Sequence, residues 1–330
     1  IKGRTYDEPM YKMAVYAKVK GTEDKIANGL VKLKEEDESF TYGNDPETKE
    51  LIIAGVGDMQ LSVLMAKLQS KYKVEAVLKP AKIAYRETIK KKVEIHGRHK
   101  KQSGGAGQFG EVSILICPIV EGVPFTNKFK IDGKDVVLNV KTKEEFDLEW
   151  GGRLEFYNCV VGGAIDARFM PAILKGLNDK MTEGPLTGSY ARDIRVFVYD
   201  GKMHPADSNE ISFILAARNA FKEAFRNAGP KIMEPIYNVE IMTPADYMGA
   251  CMSDLQNKRA LIEGMSSDKG FSVLKARVPL AELYCYSTTL SSLTSGAATF
   301  TMEFADYQPV PADVQTKLLA EYAAQEKEEE

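Results

Sequence analysis

Two small groups of residues have the types that chemistry requires. His96 and His99 are three apart, and His204, Asp207 and Ser208 fall within five positions. On a strand, side chains three apart face opposite sides, so His96 and His99 cannot share a ligand, and no third donor is near in sequence. His204, Asp207 and Ser208 have the residue types of a hydrolytic triad. A triad, however, is built by geometry from separated segments, and one polar loop does not supply it. The glycine-rich stretch Ser103–Gly110 (SGGAGQFG) lacks the Gly-Lys-Ser/Thr ending of a phosphate-binding loop. It also precedes a strand rather than a helix, which excludes a dinucleotide fingerprint as well. No other stretch forms a nucleotide cradle, so hydrolysis of GTP or ATP by this chain alone is not expected. A stand-alone metabolic enzyme is disfavoured for the same reason: no set of acid, base or metal ligands is assembled.

Lys82–Lys101 is the one marked charge feature. It holds Lys82, Arg86, Lys90, Lys91, Lys92, Arg98, Lys100 and Lys101 against Glu87 and Glu94. The whole chain carries 44 basic and 47 acidic residues, a net charge of −3, so binding to a polyanion must come from such a local patch. The alternative is a solvated strand edge that lysines protect from aggregation. The four cysteines (Cys117, Cys159, Cys251, Cys285) are far apart, with no CxxC pair. That argues against a disulfide framework or a thiolate zinc site and favours buried thiols in a reducing compartment. No run of 18 apolar residues exists, and the N-terminus lacks the apolar segment of a secretory signal. A cytoplasmic protein without a membrane partner is expected. Because the chain starts at Ile1, it is read as a piece whose upstream part is missing.

With 330 residues, two or three domains are expected at ~150 residues each. After a polar linker over 1–9, Met10–Val19 reads as a strand. Thr22 is placed to cap a helix to about Glu38, with Ile26, Leu30 and Leu33 on one face. Asn44-Asp45-Pro46-Glu47 signals a hairpin. Asp58 is then read as the cap of a helix bearing Leu61, Leu64, Met65, Leu68 and Tyr72, and Val74–Leu78 as a closing strand. The order βαββαβ predicts a ferredoxin-like sandwich over 10–79.

A similar order is read over 233–310. Ile236–Met242 is a strand, and a helix starting at Thr243-Pro244-Ala245-Asp246 carries Met248, Cys251, Met252, Leu255 and Ile262 to Gly264. Phe271–Leu274 and Lys275–Val278 follow as strands, Ala281–Leu293 as a helix and Thr299–Phe304 as a last strand. Residues 311–330 form a terminal helix over Val314–Ala324 and an acidic end. The middle, 80–232, reads as a separate α+β domain. It has a long strand over Ile83–His96, an apolar strand over Val112–Ile119, a helix over Met170–Met181 and a strand over Asp193–Tyr199. A second helix over Asp207–Ala228 turns Ile211, Leu215, Phe221 and Phe225 inward. The loops Ser103–Gly110 and Gly201–Asn209 could project together.

Ala84-Tyr85-Arg86-Glu87-Thr88-Ile89 followed by Gln102–Gly110 closely resembles the opening of domain IV of the elongation factor G family, AYRETI then QSGGRGQYG. Gly162-Gly163-Ala164-Ile165, Gly184-Pro185-Leu186-Thr187-Gly188 and Asp200–Glu210 (DGKMHPADSNE) resemble its GGVI, GPLAG and DGSYHDVDSSE. Glu234-Pro235-Ile236, Val278-Pro279-Leu280-Ala281-Glu282 and Thr301-Met302-Glu303-Phe304 fit its last domain, and Ala54-Gly55-Val56-Gly57 its third.

The resemblance implies domains III, IV and V of a translational GTPase: two ferredoxin-like sandwiches flanking an α+β domain like domain 2 of ribosomal protein S5. GTP and magnesium are then expected only in the missing G domain, with no cofactor or metal in this chain. The implied partners are both ribosomal subunits, ribosomal RNA and the tRNA–mRNA duplex, met by a monomer. The family's tip positions carry over to Ser103, Gly104, Gly105, Gln108, Gly201, His204, Asp207 and Ser208. Lys90, Lys91, Lys92, Arg98, Lys100 and Lys101 are the further candidates for RNA contact. The tip loops imply a role in tRNA–mRNA translocation at the decoding site. Glycines there let backbone N–H groups approach a duplex, and Gln108 and His204 can bond ribose or phosphate without reading bases.

Three departures stand out. Ala106 replaces an arginine of the glycine loop, Thr289, Ser291 and Ala297 stand in an arginine-containing pattern of the last domain, and GELHLE becomes Gly57-Asp58-Met59-Gln60-Leu61-Ser62. Each lost phosphate contact flattens the salt dependence by roughly one unit of slope. Val123–Gly152, which holds the single tryptophan Trp150, is also longer than the family pattern. These departures imply a diverged paralogue, and an alternative role in ribosome protection, recycling or stress with weak or absent GTPase coupling.

Overall fold

The computed structural model describes residues 11–102 and 104–329. They divide into two compact units, 11–84 with 234–308 and 85–233 with 309–329. The linker read over 1–9 lies outside the described residues.

The first unit opens with β1 (Tyr11–Ala17), α1 (Glu23–Glu36), β2 (Thr41–Asn44), β3 (Leu51–Gly55), α2 (Asp58–Tyr72) and β4 (Ala76–Lys79). The antiparallel sheet has the order β2-β3-β1-β4, which the βαββαβ pattern requires of a ferredoxin-like sandwich. Ile26, Leu30 and Leu33 of α1 meet Leu61, Leu64 and Leu68 of α2 over Met13, Val15 and Ile53. A Cβ on Gly29 would lie 2.5 Å from Leu68 Cδ2, so glycine allows the close approach of the two helices. The hairpin turn is held by Asp45, whose carboxylate accepts the N–H groups of Glu47 and Thr48. Both expected caps are corrected. Thr22 donates its hydroxyl to Val19 O at 2.7 Å instead of accepting from the helix. Gly57 is the cap of α2, and Asp58 is its first residue.

The second unit begins with β5 (Arg86–Thr88), β6 (Val93–Lys101) and β7 (Gln108–Pro118). The single long strand expected over Ile83–His96 is therefore two. Ile89 is buried in the core, and the N–H groups of Lys90 and Lys91 both donate to Ala228 O, which turns the chain between β5 and β6. Then come β8 (Lys128–Ile131), β9 (Lys134–Val137), β10 (Thr142–Asp147), β11 (Arg153–Asn158), α3 (Met170–Met181), β12 (Tyr190–Ala191), β13 (Ile194–Lys202) and α4 (Glu210–Asn227). The five-stranded sheet has the order β10-β11-β13-β7-β6, with β11 and β13 parallel and the other pairs antiparallel.

One face of this sheet, through Val112, Ile114, Ile116, Val196 and Val198, packs on α3 and α4. Ile211, expected inward on α4, is 42% exposed; Phe213, Ala217, Ala220 and Phe221 make the buried stripe. The opposite face carries Leu115, Cys117, Tyr157 and Phe197, and the β8–β9 hairpin covers it with Phe129, Ile131 and Val136. The segment 123–152 thus supplies a second core and, through β10, an edge strand. Trp150 stacks on Tyr190 at 4.5 Å and donates its indole N–H to Ala191 O at 2.8 Å. Glu87 is fully buried and accepts the N–H groups of Leu186, Thr187 and Ser189 at 2.7–3.1 Å. Burial pushes its carboxyl up, and those three donors oppose the shift.

In β14 (Lys231–Pro244), the first three residues pair with β5 in the second unit, and Ile236–Pro244 pair antiparallel with a later strand of the first. α5 (Met248–Gln256), β15 (Leu261–Asp268), β16 (Phe271–Pro279), α6 (Tyr286–Thr294), β17 (Thr299–Pro309) and α7 (Ala312–Glu329) complete the chain. Two expectations fail here. The strand runs through Pro244, and the helix ends at Gln256, so Ile262 and Gly264 belong to β15. β15 pairs with one continuous β16 through the turn Lys269-Gly270, where both residues have positive φ. The break follows from Arg259, in the left-handed region. Its guanidinium holds buried Glu234 at 2.6 Å and Glu282 at 3.0 Å.

Candidate nucleic-acid interface

β6 ends, β7 begins and β13 ends at the same edge of the five-stranded sheet, because Lys101 lies opposite Gln108 and Lys202 opposite Glu111. The described residues between β6 and β7 (102 and 104–107) and the loop 203–209 therefore leave the sheet side by side. Hydrogen bonds tie them together. Phe109 N–H donates to Asp207 O at 3.0 Å, Ser208 Oγ donates to Phe109 O at 2.8 Å, and His204 N–H donates to Ser208 Oγ at 2.8 Å. The His204 ring stands edge-on to Phe109, with centroids 3.9 Å apart at 84°, and Arg98 lies over the same ring at 5.5 Å. Asn209 accepts the N–H of Ser212 at 3.0 Å and so fixes where α4 starts and where the loop must end.

The predicted site residues separate by what they touch. Gly104 (φ 32°) and Gly105 are exposed, and a Cβ on Gly104 would meet nothing within 4 Å. Ser103 lies outside the described residues. Gln108 is half-buried, with its Oε1 2.8 Å from His99 Nε2. Gly201 is a packing position within β13, where a Cβ would strike Glu111 O and Ile165 Cδ1 at 2.3 Å. His204 is exposed. Asp207 sits beside Gly107, where a Cβ would lie 3.2 Å from its Oδ1. Ser208 is spent on backbone groups, and its bond to His204 is to the main-chain N–H, so the three residues form a loop lock and no proton relay. His96 bonds Ser113 and His99 bonds Gln108, on opposite faces of β6 as the strand period predicts.

The basic segment is likewise divided. Lys90 and Lys91 sit at the far end of α4, an 18-residue helix of about 27 Å, away from the tip that its N-terminus adjoins. Lys92 is 3.0 Å from Glu94 and donates to Lys130 O at 2.7 Å. Arg98 pairs with Glu111 at 3.4 Å. Only Lys100 and Lys101 of the six are exposed at the tip without an ion pair among the described residues. Lys202, which sequence reasoning placed within the loop Gly201–Asn209 without singling it out as a cation, joins them there. Its signal was present, as the last residue of β13 before the loop, but its position opposite Glu111 needs the register.

Burial pushes the thiols of Cys117 and Cys159 up to about 11. Both lie under the β8–β9 hairpin.

Three family models match the chain: "Elongation Factor G, domain III" over residues 7–80, "Elongation factor G, domain IV" over 81–147 and 136–229, and "Elongation factor G C-terminus" over 231–318. Curated relatives named elongation factor G include one from Salinibacter ruber, 38% identical, and one from Ruegeria sp., 36% identical. Each alignment covers 97% of this chain, but the chain spans only 42% and 41% of those relatives. A crystal structure of a protein from Thermus thermophilus superposes with a TM-score of 0.78 at 32% identity, over 97% of this chain and 44% of that one. Among the described residues no helix is long and apolar enough to cross a membrane.

Proposed function

The chain belongs to the elongation factor G family of translation elongation factors, and on that premise we propose that it is the ribosome-binding C-terminal part of such a factor. In this reading the second unit is an arm that enters the decoding region of the small subunit and promotes tRNA–mRNA translocation. The observation that carries the reading is the lock at its tip. Two loops whose bonded residues Phe109 and Ser208 are 99 positions apart in sequence are held as one rigid projection by Phe109, His204 and Ser208. A steric probe needs that rigidity more than it needs reactive groups.

The chain's own residues act by shape and hydrogen bonding. Gly104 and Gly105 allow close backbone approach, and His204 and Gln108 offer ring and amide groups to ribose or phosphate. GTP, magnesium and the hydrolytic chemistry are assigned to a part of the protein outside this chain. The protein works in the cytoplasm, against both ribosomal subunits, ribosomal RNA and the tRNA–mRNA duplex. The test is translocation by the full-length factor carrying His204→Ala with Gln108→Ala. A rate several-fold below wild type is expected, and an unchanged rate removes these residues from the mechanism.

Exposed Ala106, where the family pattern has arginine, favours a specialised paralogue for protection, recycling or stress as the second reading. Ribosome-stimulated GTP turnover by the full-length protein separates the two.

A further inference from the structure

We infer that the RNA backbone rests on one face of the tip, the sheet face turned away from α3 and α4, and that Lys100 and Lys202 hold its phosphates. This rests on the arm reading above and adds which face is used and which cations serve it.

Residues directly opposite in antiparallel strands share a face. Arg98, Glu111 and Lys202 therefore form one row across β6, β7 and β13, and Lys100 stands opposite Phe109 in the next row outward. The other face is fixed by contact with α4. A Cβ on Gly97 would lie 2.4 Å from Ala220 Cβ, and one on Gly110 3.1 Å from Ser212 O. The row of cations thus looks away from the helices.

Along that same face the character changes from base to tip. Toward the base it carries Leu115, Tyr157 and Phe197 under the β8–β9 hairpin, with Arg195 and buried Glu155 neutralising each other as an ion pair. Toward the tip Arg98, Lys100 and Lys202 are exposed. His204 belongs to this face too, because its ring seats on Phe109, over which Arg98 also lies.

Charge separates the two faces. The open face carries Arg98, Lys100 and Lys202 against Glu111, which Arg98 already engages at 3.4 Å, and Asp200, whose Oδ1 accepts the N–H of Gly201. Neither Lys100 nor Lys202 has a carboxylate at ion-pair distance among the described residues. Around the start of α4 the balance reverses, with Lys101 against Asp207 and Glu210. A polyanion is drawn to the first face. Lys100 and Lys202 are two strands across and two residues along from each other, about 12 Å, so they meet different phosphates. Point charges on phosphates carry no base information, which suits a factor that must accept every codon.

The test uses the full-length factor and measures ribosome affinity between 50 and 200 mM salt. Lys202→Ala and Lys100→Ala are each expected to lower the slope of log affinity against log salt by about 0.7–0.9. Lys222→Ala, on the exposed side of α4, should leave it unchanged, and Lys101→Ala should lower it by less than half as much as Lys202→Ala. A photocrosslinker placed at position 202 should label RNA. An unchanged slope for Lys202→Ala, an equal or larger effect of Lys101→Ala, or crosslinks to an acidic ribosomal protein would each overturn the inference. If His204→Ala slows translocation while Lys202→Ala is silent, only the face assignment falls. If neither has any effect, the arm reading falls with it.

Discussion

Replacing Ile131 by alanine tests whether the segment between β7 and β11 is part of the second unit's core or an appendage on it. Ile131 is 7% exposed and packs with Leu138 against Leu115, Tyr157 and Phe197. Truncation of a buried isoleucine costs ~2–5 kcal/mol, and the lower half applies here because a two-stranded hairpin can settle into part of the cavity. For a unit of about 170 residues, each kcal/mol moves the melting temperature by about 2–4 °C, so 2–3 kcal/mol gives about 4–12 °C. Val137, in the same hairpin, is 54% exposed, and Val137→Ala should stay within about 0.5 kcal/mol. The assay is differential scanning calorimetry of the whole chain. Leu177→Ala, in the fully buried core beneath α3, marks which transition belongs to this unit. If Ile131→Ala melts within 1 °C of Val137→Ala, the hairpin contributes no core and the reasoning is wrong.

Two further outcomes follow from buried titratable groups. Burial pushes Tyr16, Tyr157 and Tyr199 up to about 12, aided by Glu50 at Tyr16 and Glu155 at Tyr157. The fold holds these protons more tightly than the unfolded chain, so this stabilisation is intact below pH 10 and is lost between pH 10 and 12. The urea midpoint should fall across that window, with tyrosinate absorbance rising together with loss of far-ultraviolet dichroism. Titration of all three near pH 10 in the folded protein would refute it. At pH 8 a thiol at about 11 is ionised in about 1 molecule in 1,000, against about 1 in 4 for an ordinary one. Cys117 and Cys159 should therefore resist an aromatic disulfide reagent until urea is added, and immediate labelling of either in the native protein counts against the burial described.

Elements whose signals are local were legible. α3 begins and ends where read, at Met170 and Met181, because Pro171 in its first turn and the spacing of Ile173 and Leu177 are self-contained. The order βαββαβ fixed the first sheet because only one right-handed arrangement buries both helices on one face. Elements settled by distant partners were not legible. Ile262 continues the apolar spacing of Leu255 at i+7, yet the chain has left the helix because Arg259 is held by Glu234 and Glu282, each more than twenty residues away. The strand over Ile83–His96 breaks because Ala228 O captures two N–H groups from the far side of the sequence. β8 and β9 escaped notice because four-residue strands rich in lysine give no amphipathic signal until Leu115 and Phe197 are seen to need cover. At the site, the glycine loop was visible as composition, whereas Lys202 was not, since its row with Arg98 and Glu111 exists only in the register.

The same two strands connect these observations. β7 and β13 carry the second core on Leu115 and Phe197 and, a few residues further along the same face, Glu111 and Lys202 at the tip. Between the two pairs the register of β13 against β7 shifts by one residue, at Val198–Asp200, and that bulge turns Lys202 onto the face that carries Phe197 and Glu111. Gly201 makes the coupling strict. Its missing Cβ leaves room for Glu111 O and Ile165, so β13 approaches β7 and the loop after β11 just before the lock at His204 begins. The cover of the sheet's base and the aim of its tip are therefore one mechanical property. Under the proposed function, a loss of hairpin packing should reach the ribosome as a less well-directed His204 and Lys202, before it shows as an unfolded arm.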